Sequence, residues 1–366
     1  MIPMQKLRKK FPVLNQCIYA NTASSGLLGE GLLEWRQDHD LDYLIGGSDM
    51  KNKAMSQLSK VKHTVGSFFH CPGEQVALVP NFSLGLNLLL EGLPKDQRVL
   101  LLESDYPSVN WPFESRNFPR EYVSIDENLE QNIHGRIKDG KIDVLALSLV
   151  QWVNGILIDL DFLRELKKEF PHLLILADGT QYLGMEEFNF ETSGIDILGA
   201  SAYKWLLAGY GNGFFLVREG AQDRFDLKAI GHGSVEGDAS KRDQITLCKM
   251  LEPGHLDTLN FGSLDFALKF LNDIGQDNIE QQVRRLSQRA MEAFSSLGLL
   301  ETYVPARKKH SGIFLVQGDD KLFNRLREQN VVASPRGGGI RLSFHFYNTE
   351  EEVDQIAKIL KRWVSK

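Results

Sequence analysis

Cysteine is scarce in this chain. Its 366 residues hold three, Cys17, Cys71 and Cys248, odd in number, far apart and in no C-x-x-C pair. That pattern argues against a disulfide framework or a structural zinc site and for a reducing compartment, by default the cytoplasm. The N-terminal stretch "MIPMQKLRKKFPVL" carries positive charges without an apolar run behind them. Neither a signal peptide nor a membrane span is expected from it. Strong charge of one sign is missing too. The net charge is −6 with 25% charged residues, which disfavours a broad electrostatic grip on nucleic acid or an anionic membrane and leaves room for a local cationic pocket. No repeat or low-complexity segment is visible. With 42% hydrophobic residues, the chain is long enough for one large core and a smaller domain.

What is present is a series of apolar runs. They are "VALVP" (76–80), "RVLLLES" (98–104), "EYVSI" (121–125), "DVLALSLVQW" (143–152), "LLILAD" (173–178), "DILGASA" (196–202) and "GFFLV" (213–217). Several are apolar on consecutive residues, which suits strands covered on both faces. Helical patterns lie between them, among them 84–93 and 159–170. The expectation is an α/β fold with a mostly parallel sheet. The last hundred residues read as a separate α+β unit. A long helical pattern over about 263–297 is followed by "GIFLVQG", a helix near 319–329, and short strands at 331–334 and 339–345. A final helix opens on "TEEE", a capping box.

The chemistry-bearing residues cluster at the ends of the runs. Lys204, in "GASAYKWLLAGYGNGFFLV", stands just beyond a strand that ends near Ser201. Ligands of open α/β sheets bind at such carboxyl ends. A lysine partly desolvated there would have a lowered pKa and a nucleophilic amine; in isolation it reads equally as a loop lysine. Asp178 ends the preceding run, with Thr180 and Gln181 just after it. Its carboxylate needs a partner, either a cap on the next turn or a protonated ring nitrogen. An acid and a lysine at neighbouring strand ends is the arrangement that pyridoxal phosphate requires. In "VALVPNFSLGLNLLL" a helix start near Ser83 offers free N–H groups to a phosphate, or Ser83 is an N-cap. Tyr106 in "ESDYPSVNWPF" can stack on a flat ring or simply pack. Arg341, inside "GGGIRLSFHFYNTEEE", faces away from Ile340 and Leu342; its fork wants a carboxylate, from a ligand or from an internal Asp or Glu.

These motifs resemble the class V aminotransferase superfamily, which includes the cysteine desulfurases, pyridoxal-phosphate enzymes of fold type I. The resemblance runs from "FPVLNQCIYANTASSG" to "RLSFHFYNTEEEVDQI" and is most specific in "ADGTQYLG", "SAYKWLLAGYGNGFFLVR" and "IRLSFHFYNTEEEVD". It implies a large cofactor-binding domain over 16–255, with a seven-stranded sheet, and a small C-terminal α+β domain over 256–366 joined by 1–15. It implies that Lys204 forms the Schiff base and that Asp178 partners the pyridine nitrogen. Gln181 would bond the ring oxygen, and Tyr106 would stack on the ring. Phe82, Ser83, Ser201 and Tyr203 would hold the phosphate, with Thr258 reaching in from a second subunit of a homodimer. Arg341 would anchor the substrate carboxylate, beside a loop from Asn21 to Ser25. The glycines at 209, 211 and 213 would let the chain turn after Lys204.

Two departures stand out. Desulfurases carry a reactive cysteine upstream of the carboxylate arginine, and "REQNVVASPRGGGIR" has none, so persulfide chemistry lacks its nucleophile. The family often has a small or amide residue near Gln151 and Trp152. Trp152 either narrows the substrate pocket or is a core aromatic. The expected activity is an aminotransferase, with a C–S lyase or epimerase as the enzyme alternative and a non-catalytic binding protein as the other. Partners are an amino acid and a 2-oxo acid. Arg336 and His345 can each contact a second acidic group or be ordinary strand residues.

Overall fold

The computed structural model of the chain describes residues 4–236 and 238–365. Residues 1–3 of the N-terminal stretch and residue 366, the last of the expected second domain, lie outside them. The seven apolar runs form the strands of one sheet: β1 Val76–Val79, β2 Val99–Leu102, β3 Arg120–Val123, β4 Val144–Ser148, β5 Leu174–Asp178, β6 Ile197–Ser201 and β7 Gly213–Val217. Their order is β1-β7-β6-β5-β4-β2-β3. β2 to β6 run parallel, and β7 is antiparallel to both neighbours. The fold is α/β with a mostly parallel seven-stranded sheet.

Unbroken apolar runs arise because each strand alternates between two cores. Leu145, Leu147, Ile175 and Ala177 face one; Val144, Ala146, Leu174 and Leu176 face the other. Helices Asp49–Phe69, Leu129–Asp139 and Leu160–Glu169 cover the first face, and Phe82–Leu89 with Pro107–Ser115 the second. The edge strand β3 is only partly buried and begins with Arg120 and Glu121, charges that discourage pairing with another sheet edge.

A second sheet contains β8 Ile313–Gln317, β9 Ser334–Arg336 and β10 Gly339–Ser343, antiparallel in the order β9-β10-β8. Ile340 and Leu342 enter a small core with Leu286, Phe294, Val353 and Ile356. The helical pattern over 263–297 is two helices, Thr258–Ile274 and Gln276–Ser296, separated at Gly275. The first starts just after the expected boundary at 255/256 and shares the core of the large sheet. The last helix, Glu350–Val364, carries the capping box: Glu352 N–H donates to Thr349 Oγ1 and Thr349 N–H to the Glu352 carboxylate. Helix Glu30–Gly46 has no counterpart in the sequence reading. It buries Leu32 and leaves Leu41, Tyr43, Leu44 and Ile45 exposed, so it lacks a core-facing stripe.

The loop after β4 is pressed against β8. Gly155 has φ of 77°, and a Cβ there would lie 2.0 Å from the Ile313 carbonyl oxygen. Gly155→Ala should cost at least about 2 kcal/mol, read as a lower urea midpoint at unchanged slope. A variant as stable as the parent would show that this contact has slack.

Candidate active site

β5 and β6 lie side by side with Asp178 level with Gly199, so both end at one rim of the sheet. Asp178 closes β5, and Lys204 follows the end of β6 at Ser201. Both side chains are buried, 4% and 5% exposed, and both line a single cavity of about 390 Å³. They form no direct ion pair among the described residues. Burial pushes the Asp178 carboxyl up, opposed by hydrogen bonds from Thr180, whose N–H lies 2.8 Å from Oδ1, and by the Lys204 charge. Burial pulls Lys204 down; the Asp178 charge opposes this, and the Arg341 and Arg336 charges add to it. Such a lysine supplies a neutral, nucleophilic amine far more readily than an exposed one.

The aromatics flanking Lys204 do different work. Tyr203 faces the cavity, stacked on Tyr210 with centroids 4.5 Å apart. Trp205 turns into the core, and its Nε1–H donates to Gln181 Oε1 at 2.8 Å. The Gln181 amide in turn donates to the Ala23 carbonyl at 2.9 Å. Gln181 thus borders the cavity and ties the Lys204 turn to the N-terminal loop. Lys204 Nζ lies 5.5 Å from the ring centroids of both Tyr106 and Tyr203. Behind it, Gly209 and Gly211 take φ of 72° and 87°, and Gly211 borders the cavity.

Helix Phe82–Leu89 starts at the same rim. Asn81 caps it, not Ser83: Leu84 N–H donates to Asn81 Oδ1 at 2.9 Å. Ser83 is therefore released from capping, lines the cavity and donates to Ser108 Oγ at 2.7 Å. Phe82 N–H donates to Ser201 Oγ at 2.9 Å, lashing helix start to strand end. The Phe82 ring is stacked on Phe215 in the core, so Phe82 offers the site mainly its backbone.

An aromatic wall borders the cavity, with a buried arginine bonded to its backbone. Tyr106 and Trp152 both line the cavity and meet edge to face at 5.7 Å, which makes Trp152 a pocket wall. Gln151 Oε1 holds the turn carrying it by accepting from Val153 N–H at 2.6 Å and Asn154 N–H at 3.0 Å. Arg341 projects away from Ile340 and Leu342. Its Nη1 donates to the Trp152 carbonyl at 2.6 Å and its Nη2 to Ser24 Oγ at 2.7 Å, while Nε has no partner. No internal carboxylate pairs with it among the described residues. Burial, reinforced by Arg336, pulls its pKa down to about 10.

Other expected residues lie farther out. Thr258 is outside this cavity, with its Oγ1 3.0 Å from His39 Nε2. Asn21 Oδ1 accepts from Ser334 Oγ at 2.8 Å, and Ser25 Oγ donates to the Gly26 carbonyl at 3.3 Å. Between them Ser24 is the residue that reaches Arg341. Spacing cannot choose among the neighbours in "NTASSG". Asp105 is a second buried carboxylate, accepting from Tyr106 N–H and Ser148 N–H at 2.7 Å each. Its signal was available: an acid just after an apolar run, as at Asp178. Thr180 also escaped notice as a site residue; Ser201 N–H donates to its Oγ1 at 3.0 Å. None of the cysteines lines the cavity. Burial raises all three thiols, Cys71 and Cys248 to about 12.

The donor set fits pyridoxal phosphate. A buried acid and a buried lysine share a cavity without touching, an aromatic wall borders it, and hydroxyls with a helix start close one end. Asp178 is the one carboxylate among the lining residues.

Comparison with known proteins agrees with this geometry. A family model described as "Aminotransferase class-V" matches residues 43–356. A protein of Pyrococcus abyssi named as a probable cysteine desulfurase is 23% identical, covering 98% of this chain and 97% of its own. The apo structure of a cysteine desulfurase from Thermococcus onnurineus superposes with a TM-score of 0.87 at 21% identity, over 100% of this chain and 98% of that one. The cystine C–S lyase C-DES, in complex with cysteine persulfide, gives 0.85 at 18% identity, over 96% and 99%.

His345 is not at the cavity. It is fully buried, its Nε2–H donates to the Trp205 carbonyl at 2.9 Å, and burial holds its pKa down at about 3. The unfolded chain takes up this proton below about 6.5. Stability should therefore fall as pH drops from there towards 3. His345→Gln should weaken that dependence in urea titrations between about pH 6.5 and 4. Equal slopes would mean that other groups govern the acid limb.

Proposed function

The chain belongs to the class V aminotransferase family, and from that premise we propose that it moves the amino group of an amino acid to a 2-oxo acid, with Lys204 as the cofactor-bearing residue. It is a pyridoxal-phosphate-dependent enzyme of the transferase type. The observation that carries the reading is the sharing of one cavity by buried Lys204 and Asp178, with buried, carboxylate-free Arg341 beyond its aromatic wall. When bound, pyridoxal phosphate supplies an aldehyde carbon that condenses with amines and a protonated pyridine that draws electrons from the substrate α-carbon.

The chain's own residues then have distinct tasks. Asp178 would hold the proton on the ring nitrogen, Tyr106 would stack against the ring and Gln181 would meet its oxygen. Ser83, Ser201, Tyr203 and the Phe82 backbone take the phosphate. Arg341 receives the substrate α-carboxylate on its unpaired Nε edge. Asn21 supports that end through Ser334 and Ser24, Ser25 follows in the same loop, and Trp152 limits its width. Lys204 Nζ, as a neutral amine, would take the α-proton as general base. Reprotonation of the α-carbon on its opposite face would give epimerisation; transfer of the proton away from that carbon would let the substrate lose its amino group and leave as a 2-oxo acid.

A β-eliminating C–S lyase is the second reading. It draws on the relatives named as desulfurases and on the fold shared with C-DES. It needs no cysteine nucleophile, whereas a persulfide relay would need a thiol at the cavity.

Borohydride reduction followed by peptide mapping should place the label on Lys204, and Lys204→Ala should abolish it. An unlabelled Lys204 in a yellow protein would overturn the assignment. A panel of amino donors should then convert the visible absorbance to the pyridoxamine form. Release of ammonia and an oxo acid without that conversion would favour the lyase.

A homodimer with shared sites is proposed on the apolar surface of helix Glu30–Gly46, where Leu44 and Ile45 are 80% and 79% exposed. His39 of that helix holds Thr258, which would face the partner's phosphate. Leu44→Asp with Ile45→Asp should shift the protein to monomer in sedimentation and lower its cofactor affinity. An unchanged dimer would refute this surface. A cytoplasmic location is proposed from the three free thiols.

A further inference from the structure

Arg336 is a cation near the cavity that the tasks above leave unused. It lies on β9 opposite Gly339, while Ser334 lies opposite Arg341. Residues two apart on a strand share a face, so Arg336 projects from the same face of this hairpin as Ser334 and Arg341. That face is the one on which Arg341 reaches Ser24 and the Trp152 carbonyl, and on which Ser334 Oγ meets Ser24 Oγ at 2.9 Å. The hairpin turn rests on the segment that carries the cavity-lining Trp152. A Cβ at Gly337 would lie 2.5 Å from Val153 Cγ1, next to Trp152. Arg336 is exposed and makes no ion pair or side-chain hydrogen bond among the described residues. Its charge is nevertheless felt at Lys204 and at Arg341, lowering both.

The charges do not balance. Lys204 lines the cavity and Arg341 and Arg336 stand on the hairpin beside it, three cations against two carboxylates, the lining Asp178 and the buried Asp105. One α-carboxylate satisfies Arg341 and leaves Arg336 unmatched. The indole Nε1–H of Trp152, beside them, is likewise a donor without a partner.

We propose that Arg336 is a second anion anchor and that the substrate is an amino acid with an acidic side chain, its α-carboxylate on Arg341 and its distal acid on Arg336. This rests on the amino-acid reading of the same site. Trp152 and Tyr106 form the wall along which the carbon chain between the two acids lies.

The holoenzyme and its Arg336→Gln variant test this in two ways. Donor kinetics should give a higher kcat/KM for aspartate, glutamate or cysteine sulfinate than for alanine. The three acidic donors separate a carboxylate from a sulfinate and fix the chain length. Arg336→Gln should reduce the acidic-over-neutral ratio at least about fivefold, and Arg336→Lys should restore part of it. Separately, succinate should perturb the cofactor absorbance at lower concentration than butyrate, and Arg336→Gln should erase that preference. An unchanged ratio together with equal succinate and butyrate binding would overturn the assignment of Arg336. Binding of the dicarboxylate needs no amino transfer. A succinate preference without transamination would therefore overturn the aminotransferase reading alone, and transamination without an acid preference would overturn Arg336 alone.

Discussion

The site depends on holding two opposite charges close together, out of water and apart. An acid and a lysine buried side by side attract strongly in a low dielectric and would collapse into an ion pair if their backbones allowed it. Here each is fixed by its own strand end. Asp178 is turned by the Thr180 N–H, and Lys204 by a loop anchored through Trp205 and Gln181. Adjacent parallel strands supply the rigidity. The space between the two groups is maintained at a cost in stability, and that cost is what leaves room for a flat ring.

The N-terminal segment joins the two sheets around this space. Its Ile18–Tyr19 pairs with Val331–Val332, Ser343 N–H donates to the Ala20 carbonyl, and Gln181 donates to the Ala23 carbonyl. Gly26 N–H meets the Tyr203 carbonyl at 2.9 Å, directly before Lys204. Ser24 then bridges to Arg341. The carboxylate anchor, the lysine loop and the strap are therefore one hydrogen-bonded unit. A shift of the small sheet relative to the large one would move Arg341 against the cavity rather than merely loosen a surface.

Much of this was legible in the chain itself. The seven strands coincide with the apolar runs to within one residue at their starts, and Asp178, Lys204 and Tyr106 lie at or just beyond strand ends, where an open α/β sheet puts its ligands. Residues that act through contact were harder to see. Ser83 and Asn81 are both plausible caps, and only the backbone geometry gives that role to Asn81. Ser24 has no feature that separates it from Ser25. Helix Glu30–Gly46 escaped because, Leu32 apart, its leucines, tyrosine and isoleucine do not point at this chain's core.

Local pattern determined the strands, their order of chemistry along the chain and the identity of the paired acid and lysine, because period and strand-end position are properties of neighbouring residues. Tertiary structure decided which residues meet: Arg341 with Ser24 and Trp152, Arg336 on the same hairpin face, and His345 under Trp205 rather than at the substrate. The Arg341 and His345 pairings join segments more than a hundred residues apart. They follow from how two sheets pack, and no local rule of sequence encodes that distance.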